Sequence, residues 1–123
     1  MAAKDDLGRH GEDLAVHHLE AAGLDVVDRN WRCRQGEIDI VARDGPDIAF
    51  VEVKTRTGHE FGHPLEAITA RKLARLRRLA GEWCAAHPEA RGSIRIDAVA
   101  VTVPRRVDRD RVPTAIEHLR GIF

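Results

Sequence analysis

Residues 36–56 decide the fold and read GEIDIVARDGPDIAFVEVKTR. Two runs rich in β-branched residues, 36–43 and 48–55, flank the turn cluster Asp-Gly-Pro-Asp at 44–47. Such runs, separated by turn formers, predict a β-hairpin. The turn residues fit several hairpin types, so they do not by themselves fix how the two strands pair.

A hairpin loop of two or four residues would place Asp39 opposite Glu52, and Glu37 opposite Lys54. Because side chains alternate along a strand, both pairs would share one face. Opposed Cβ atoms lie about 4.5–5.5 Å apart, where like charges repel, so two carboxylates there need a counter-charge. A divalent cation would supply it, with Lys54 alongside. A loop of odd length would instead place Asp39 opposite a valine.

The charges of the second run fall on an otherwise apolar face, since Glu52 and Lys54 alternate with Ile48 and Phe50. Charged side chains are seldom buried unless they are paired or bind a metal. Two interpretations follow. One is a metal site, which we favour, and the other is a surface hairpin with an ion pair between Lys54 and an acid of the first run.

Hydrophobic periodicity predicts the elements around this hairpin. They are a helix at 7–22, a strand at 26–31, a loop at 57–63, a helix from 65 to about 86, a strand at 93–103, and a strand or helix at 115–123. The order αβββαβ with a short C-terminal element predicts an α/β fold, a mixed central β-sheet flanked by helices. Gly11 interrupts the apolar stripe of the first helix and predicts a close approach to the sheet, with Glu12 at the core boundary.

Composition indicates one soluble domain over residues 1–123, with 43% hydrophobic and 33% charged residues. Lysine and arginine balance aspartate and glutamate at 20 each, so a phosphate-binding surface would need local clustering. Aromatic residues make up only 4%, which argues against binding by base stacking. Cys33 and Cys84 predict reduced thiols. The charged start of the chain lacks a signal-peptide pattern, and no apolar run has membrane-spanning length, so we expect a cytoplasmic protein without membrane contact.

Segments 36–42 and 50–56 resemble the YraN-like family of bacterial proteins and the core motif of the PD-(D/E)XK nuclease superfamily, and are similar to archaeal Holliday-junction resolvases. Further matches lie at Gly11-Glu12, at Phe61-Gly62 with Pro64, at Glu66-Ala67 and at Arg95-Ile-Asp97, so the resemblance covers about residues 8–103. Ile38 stands where the nominal motif has proline.

This resemblance implies a restriction-endonuclease-like fold and a metal-dependent endonuclease acting on nucleic acid, with structure-selective cleavage of DNA as the leading expectation. It implies that Asp39 and Glu52 bind Mg²⁺ or Mn²⁺, that Glu12 completes the acidic cluster, and that Lys54 positions the attacking water. A resolvase-like role would imply a homodimer. One alternative is a non-catalytic nucleic-acid-binding module on the same fold, and another is an interaction subunit with structural carboxylates.

Two basic regions are candidates for contacts with nucleic-acid phosphates. One lies close to the proposed site in sequence, and the other forms a ridge on the second long helix. The candidates are Arg32, Arg34, Gln35, Arg56, Arg71, Lys72 and Arg75, with Arg78 continuing the ridge. For the helix, an ordinary solvated face is an equally good interpretation.

Residues 59–63 match the H-E-x-x-H pattern of zinc proteases. That pattern needs a helix to bring both histidines to one metal ion. Gly58, Gly62 and the following Pro64 disfavour a helix here, so we predict a loop near the nuclease cleft instead. Asp97 is predicted to pair with Arg95 or with a residue of a helix, and not to act in catalysis.

Overall fold

The computed structural model of the chain describes residues 2–58 and 62–122. The described residues form α1 (Ala2–Ala21), β1 (Asp25–Cys33), β2 (Gly36–Asp44), β3 (Asp47–Thr57), α2 (Ala70–Ala86), β4 (Ser93–Val103) and β5 (Ala115–Leu119). The strands form one sheet in the order β1-β2-β3-β4-β5, in which β3 and β4 are parallel and the other neighbours antiparallel. The predicted mixed α/β sheet is confirmed, and it is consistent with a restriction-endonuclease-like arrangement.

The two helices cover opposite faces of the sheet. Neighbouring residues of a strand point to opposite faces. In β3, Val51 packs in a buried cluster with Leu19 of α1, whereas Phe50 packs in a second cluster with Leu79 of α2. The parallel pairing of β3 with β4 requires a long crossover, and α2 forms most of it.

The hairpin has the predicted even-length loop. Gly45 and Pro46 form a two-residue connection between the paired residues Asp44 and Asp47. Gly45 adopts a φ of 59°, which glycine tolerates without strain and which suits the first loop position of a II′ turn. The pairing is therefore in the register that directs Asp39 toward Glu52.

Several element boundaries differ from prediction, and β3 extends to Thr57. α1 begins earlier, at Ala2, and β1 extends to Cys33. The second helix begins at Ala70, because residues 64–67 form a separate 3₁₀ turn and Ile68 is extended, with φ −91° and ψ 110°. Thr69 then caps α2 by accepting a hydrogen bond from the Lys72 N–H. The undecided C-terminal element is the strand β5.

Gly11 lies where α1 touches the sheet, as predicted. A methyl group on Gly11 would overlap the side chain of Thr55 in β3. We expect Gly11→Ala to lower the free energy of unfolding by about 1–3 kcal/mol, because the clash outweighs the gain of about 1 kcal/mol in helix propensity. Gly8→Ala is the matched control in the same helix, since a methyl group there meets nothing within 4 Å. Urea melts should show opposite signs for the two variants; equal effects would contradict the close approach.

Two smaller predictions can also be compared with the structure. Cys33 and Cys84 are free cysteines, which agrees with the predicted thiols. Neither α1 nor α2, within the described ranges, is long and apolar enough to cross a membrane.

Candidate functional site

The candidate site lies where β2 and β3 separate. Their backbone pairing ends at Ile40 and Val51, one position before Asp39 and Glu52. The Asp39 carboxylate replaces the missing ladder bond, because its Oδ2 accepts a 2.8 Å hydrogen bond from the Val53 N–H. The sheet therefore opens into a fork, and an acid from each strand lies at its base.

In β2, the alternation of side chains between the two faces of the sheet breaks at Asp39. Ile40 packs in the cluster beneath α1, but Ile38, two residues earlier, packs in the cluster beneath α2. In β1, Asn30 lies opposite this break, between the pairs Arg29–Ile40 and Trp31–Ile38, and has a φ of 51°. Asparagine tolerates this left-handed conformation better than most residues. Asn30 belongs to the site, and the sequence analysis missed it.

The break also corrects one prediction. Glu37 does not face Lys54, because the β2–β3 pairing has ended and the alternation has changed. Glu37 instead accepts a 2.7 Å hydrogen bond from Arg32 Nε on β1.

The Asp39 and Glu52 side chains line the same cavity, and they are close enough that the negative charge of Glu52 acts on the pKa of Asp39. Burial raises the pKa of Asp39 to about 7, and the negative charge of Glu52 adds to the rise, although the bond from the Val53 N–H opposes it. Lys54 Nζ lies 3.1 Å from Glu52 Oε2, and both side chains are largely shielded, at 22% and 13% exposure. One lysine thus partly compensates two crowded acids.

Glu12 reaches the cavity of the site from α1, and its part in the acidic cluster stays a prediction. Its carboxylate is half-buried, and burial raises its pKa while a hydrogen bond with Asn30 lowers it. Among the described residues, no three His, Cys, Asp or Glu side chains are grouped closely enough to hold a metal ion together. The negative charge of Glu12 nevertheless acts on Asp39 and adds to the rise of its pKa.

The site opens into a cavity of about 490 Å³ between α1 and β3. Glu12, Asp39, Glu52 and Lys54, the four predicted catalytic residues, all line it, and Arg56 lies at the same wall. The structure therefore brings together the four residues that sequence reasoning grouped.

Arg56 is the one residue of the predicted phosphate-binding set that lines this cavity. Arg34 and Gln35 lie in the tight turn between β1 and β2, next to the Arg32–Glu37 pair. The ridge residues belong to α2, which covers the face of the sheet opposite α1. They are Arg71, Lys72, Arg75 and Arg78. Any contact of these residues with nucleic acid stays a prediction.

Asp97 is buried and pairs with Arg95, and the pairing confirms the prediction. Its carboxylate accepts hydrogen bonds from Arg95 Nε at 2.9 Å and from the Gly121 N–H at 3.0 Å. His118 Nε2 of β5 lies 2.8 Å away. An ionised carboxylate only accepts, so this ring nitrogen carries a proton. The network ties β5 and the segment after it to β4.

The H-E-x-x-H segment is described only in part, because His59, Glu60 and Phe61 lie outside the described residues. His63, its last member, caps the 3₁₀ turn at residues 64–67, with Nδ1 accepting a hydrogen bond from the Leu65 N–H. Its Nε2 lies 2.9 Å from a Glu117 carboxylate oxygen. Both nitrogens of His63 thus have structural partners.

Comparison with known proteins agrees with this architecture. The sequence model of a family described as "Uncharacterised protein family UPF0102" matches residues 11–101. The chain belongs to the UPF0102 family. This confirms the predicted YraN-like membership.

Relatives of similar length support the assignment. The chain is 57% identical over 122 residues to a UPF0102 protein of Leifsonia xyli, and the match covers 99% of each chain. It is 54% identical over 123 residues to a UPF0102 protein of Frankia alni, covering all of this chain and 98% of the relative. A UPF0102 protein of Beutenbergia cavernae is 55% identical over 123 residues, with 99% of both chains covered.

The UPF0102 site suits a divalent metal ion in its chemistry. Two crowded carboxylates at a shielded fork favour binding either a proton or a cation, and the raised pKa of Asp39 reflects that preference. Carboxylate oxygens are the ligands that Mg²⁺ and Mn²⁺ prefer. Mg²⁺ is commonly held by one or two carboxylates and keeps several waters, and its binding by Asp39 and Glu52 stays a prediction.

The crowding also predicts a pH-dependent stability in this UPF0102 protein. The folded pKa of Asp39 lies above its ordinary value of 3.8, at about 7, so the folded state retains a proton that the unfolded state releases. The free energy of unfolding should therefore fall as pH rises from about 4 to about 7 and then level off. In EDTA, we expect Asp39→Asn to be more stabilising at about pH 8 than at about pH 5, because asparagine does not titrate.

Thermal melts of both proteins at the two pH values test this. Asp25→Asn, which replaces an exposed acid at the start of β1, is the control and should show no such pH dependence. A stability difference for Asp39→Asn that is equal at both pH values would contradict the crowding of the two acids.

Proposed function

We propose that this UPF0102 protein is a cytosolic, metal-dependent endonuclease of the PD-(D/E)XK type that hydrolyses phosphodiester bonds in nucleic acid, with structured DNA as the expected substrate. The observation that carries the proposal is the fork itself. Asp39 and Glu52 approach each other at an opening of the sheet, Lys54 pairs with Glu52, and all three line one cavity.

Asp39 and Glu52 would hold Mg²⁺ or Mn²⁺. A bound ion of this kind polarises a phosphodiester, stabilises the charge that develops on it and lowers the pKa of a bound water. The Val53 N–H fixes Asp39 in place, which orients its carboxylate before any ligand arrives. This preorganisation reduces the cost of assembling the site.

Lys54 has a positioning role in this proposal. Its ammonium nitrogen lies 3.1 Å from a Glu52 carboxylate oxygen. A charged ammonium donates hydrogen bonds and cannot accept a proton. Lys54 would therefore hold the attacking water or a phosphate oxygen in line, while proton removal falls to a solvent molecule.

The test is a cleavage panel with purified protein. Linear, branched and single-stranded DNA, and RNA, are incubated with Mg²⁺, with Mn²⁺ or with EDTA. We expect metal-dependent cleavage that EDTA abolishes, and faster cleavage of branched DNA than of linear DNA. Binding without cleavage under every metal condition would overturn the enzyme and favour the non-catalytic binding module. Size-exclusion chromatography with light scattering on the same samples tests the predicted homodimer.

A further inference from the structure

A second cavity, of about 880 Å³, lies beside the first. One wall is the N-terminal part of α1, with His10, and another is the connection between β4 and β5, with Arg109. Leu7 and Thr57 line both cavities, so the two are adjacent, and we refer to them together as the groove. This groove has the carboxylates of the candidate site at one end and Arg109 at the other.

Two arginines line the groove in addition to Lys54 of the candidate site. Arg56 lines the first cavity and Arg109 the second, and among the described residues neither pairs with a carboxylate. Asp6 is the acid of the second cavity, and it is already bonded to Arg9 at 2.8 Å. An anionic ligand extending from the site would therefore meet Arg56 and Arg109, and an Asp6 carboxylate that is already paired with a cation.

The connection between β4 and β5 carries other arginines, but their surroundings differ. Arg111 lies 2.6 Å from Asp108, and Arg105 lies 3.5 Å from the same carboxylate. Arg106 is exposed and lines neither cavity. Among the arginines of this connection, Arg109 lines the groove and has no carboxylate partner in the described part of the chain.

The rest of the lining indicates which part of a nucleic acid would bind. No Phe, Trp or Tyr is among the described residues that line either cavity, so stacking of bases is not the mode of binding. The floor of the second cavity is aliphatic, with Val103 and Pro104. Isolated arginines above such a floor suit contacts to phosphate, which position a strand without reading its sequence.

We propose that this groove holds the phosphodiester backbone of a nucleic-acid strand whose scissile bond lies at the carboxylate fork, with Arg109 binding a phosphate on one side of that bond. The inference rests on the proposed nuclease function for the identity of its ligand. It adds a strand path and a phosphate-binding residue outside the motif that carries the family resemblance.

Binding titrations test the groove. Fluorescence anisotropy of a labelled oligonucleotide, single-stranded and as a duplex, is measured in EDTA over a series of salt concentrations for the wild type, Arg109→Ala, Arg109→Lys and Arg106→Ala. Loss of one phosphate contact lowers the slope of log affinity against log salt by about 0.7 on a single strand and about 0.9 on a duplex. We expect that change for Arg109→Ala, most of the binding retained in Arg109→Lys, and no change for Arg106→Ala.

The outcomes separate the groove from the nuclease. Equal slopes for Arg109→Ala and the wild type would overturn the groove, as would equal losses in Arg109→Ala and Arg106→Ala or a wild type that binds no oligonucleotide. The cleavage panel, run on the same wild-type preparation, reports on the nuclease separately. A reduced slope in Arg109→Ala with no cleavage by the wild type would support the groove as a binding surface and overturn the enzyme. Melting temperatures establish that the exposed substitutions leave the fold intact.

Discussion

Replacing Asp39 by asparagine is expected to reduce metal-dependent cleavage by at least about 100-fold. The amide oxygen can still accept the hydrogen bond from the Val53 N–H, so the fork should keep its shape. What is lost is one of the two anionic ligands of the proposed metal site. A catalytic metal contributes several kcal/mol to transition-state stabilisation, and each factor of ten in rate corresponds to about 1.4 kcal/mol.

Cleavage rates at several Mn²⁺ concentrations measure this effect. The variant should recover part of its activity at high Mn²⁺, because a weakened site fills by mass action. Asp25→Asn provides a control for a change of one charge at an exposed position and should cleave like the wild type. Unchanged cleavage by Asp39→Asn would remove Asp39 from the site and with it the proposed mechanism.

Replacing Asp97 by alanine is expected to lower the free energy of unfolding by about 3–5 kcal/mol, because the substitution breaks a buried charged network. The Asp97 side chain has 0% exposure and accepts from Arg95, His118 and the Gly121 N–H. Arg95 would keep its 2.9 Å contact with Asp44. The substitution would therefore mainly remove the contacts that hold β5 and the segment after it against β4. Chemical denaturation gives the magnitude.

Asp13→Ala is the matched control. Asp13 also makes a 2.8 Å ion pair, with Arg29, but both side chains are exposed, and exposed pairs contribute little. A small effect in both variants would show that the Asp97 network does not hold the fold together.

The same network predicts that the free energy of unfolding decreases at acidic pH, which we call the acid limb of its pH profile. Burial alone would raise the pKa of Asp97, but the hydrogen bonds from His118, Arg95 and the Gly121 N–H outweigh burial and hold the pKa at about 2. A folded pKa below the ordinary value of 3.8 adds stability above that value, and this stability is lost as pH falls toward 2. The contribution is about 2 kcal/mol, and the acid limb should flatten in Asp97→Ala.

The hairpin could be predicted from sequence because its information is local. The turn formers at 44–47 indicate where the hairpin turns, but they leave loops of even and odd length open. The structure has the even-length loop, and in that register Asp39, Glu52 and Lys54 line one cavity.

The change of face at Asp39 could not be predicted, because it depends on partners distant in sequence. Asn30 adopts its left-handed conformation opposite Asp39 on another strand, and its side chain binds Glu12 of α1. Nothing within the hairpin itself indicates these contacts. An asparagine inside a strand pattern was the available signal, since this residue tolerates a positive φ.

The sequence pattern also did not predict where α2 begins, or that the C-terminal element is the strand β5. Pro64 suits the first turn of a helix, but here that turn is a short 3₁₀ segment, and Thr69 begins a new helix. In β5, His118 gave no sequence signal, because its partner Asp97 lies on a strand more than a dozen residues earlier.

The parallel pairing of β3 with β4 also affects the chain during translation. β3 ends at Thr57, but its parallel partner β4 ends only at Val103. At a synthesis rate of about 5–20 residues per second, the edge of β3 that pairs with β4 therefore stays unpaired for about 2–9 seconds. An uncovered apolar strand invites mispairing with other chains. The nascent chain therefore contains both acids of the fork before β4 covers the edge of β3. The length of the crossover between β3 and β4 sets how long that edge stays exposed to other chains.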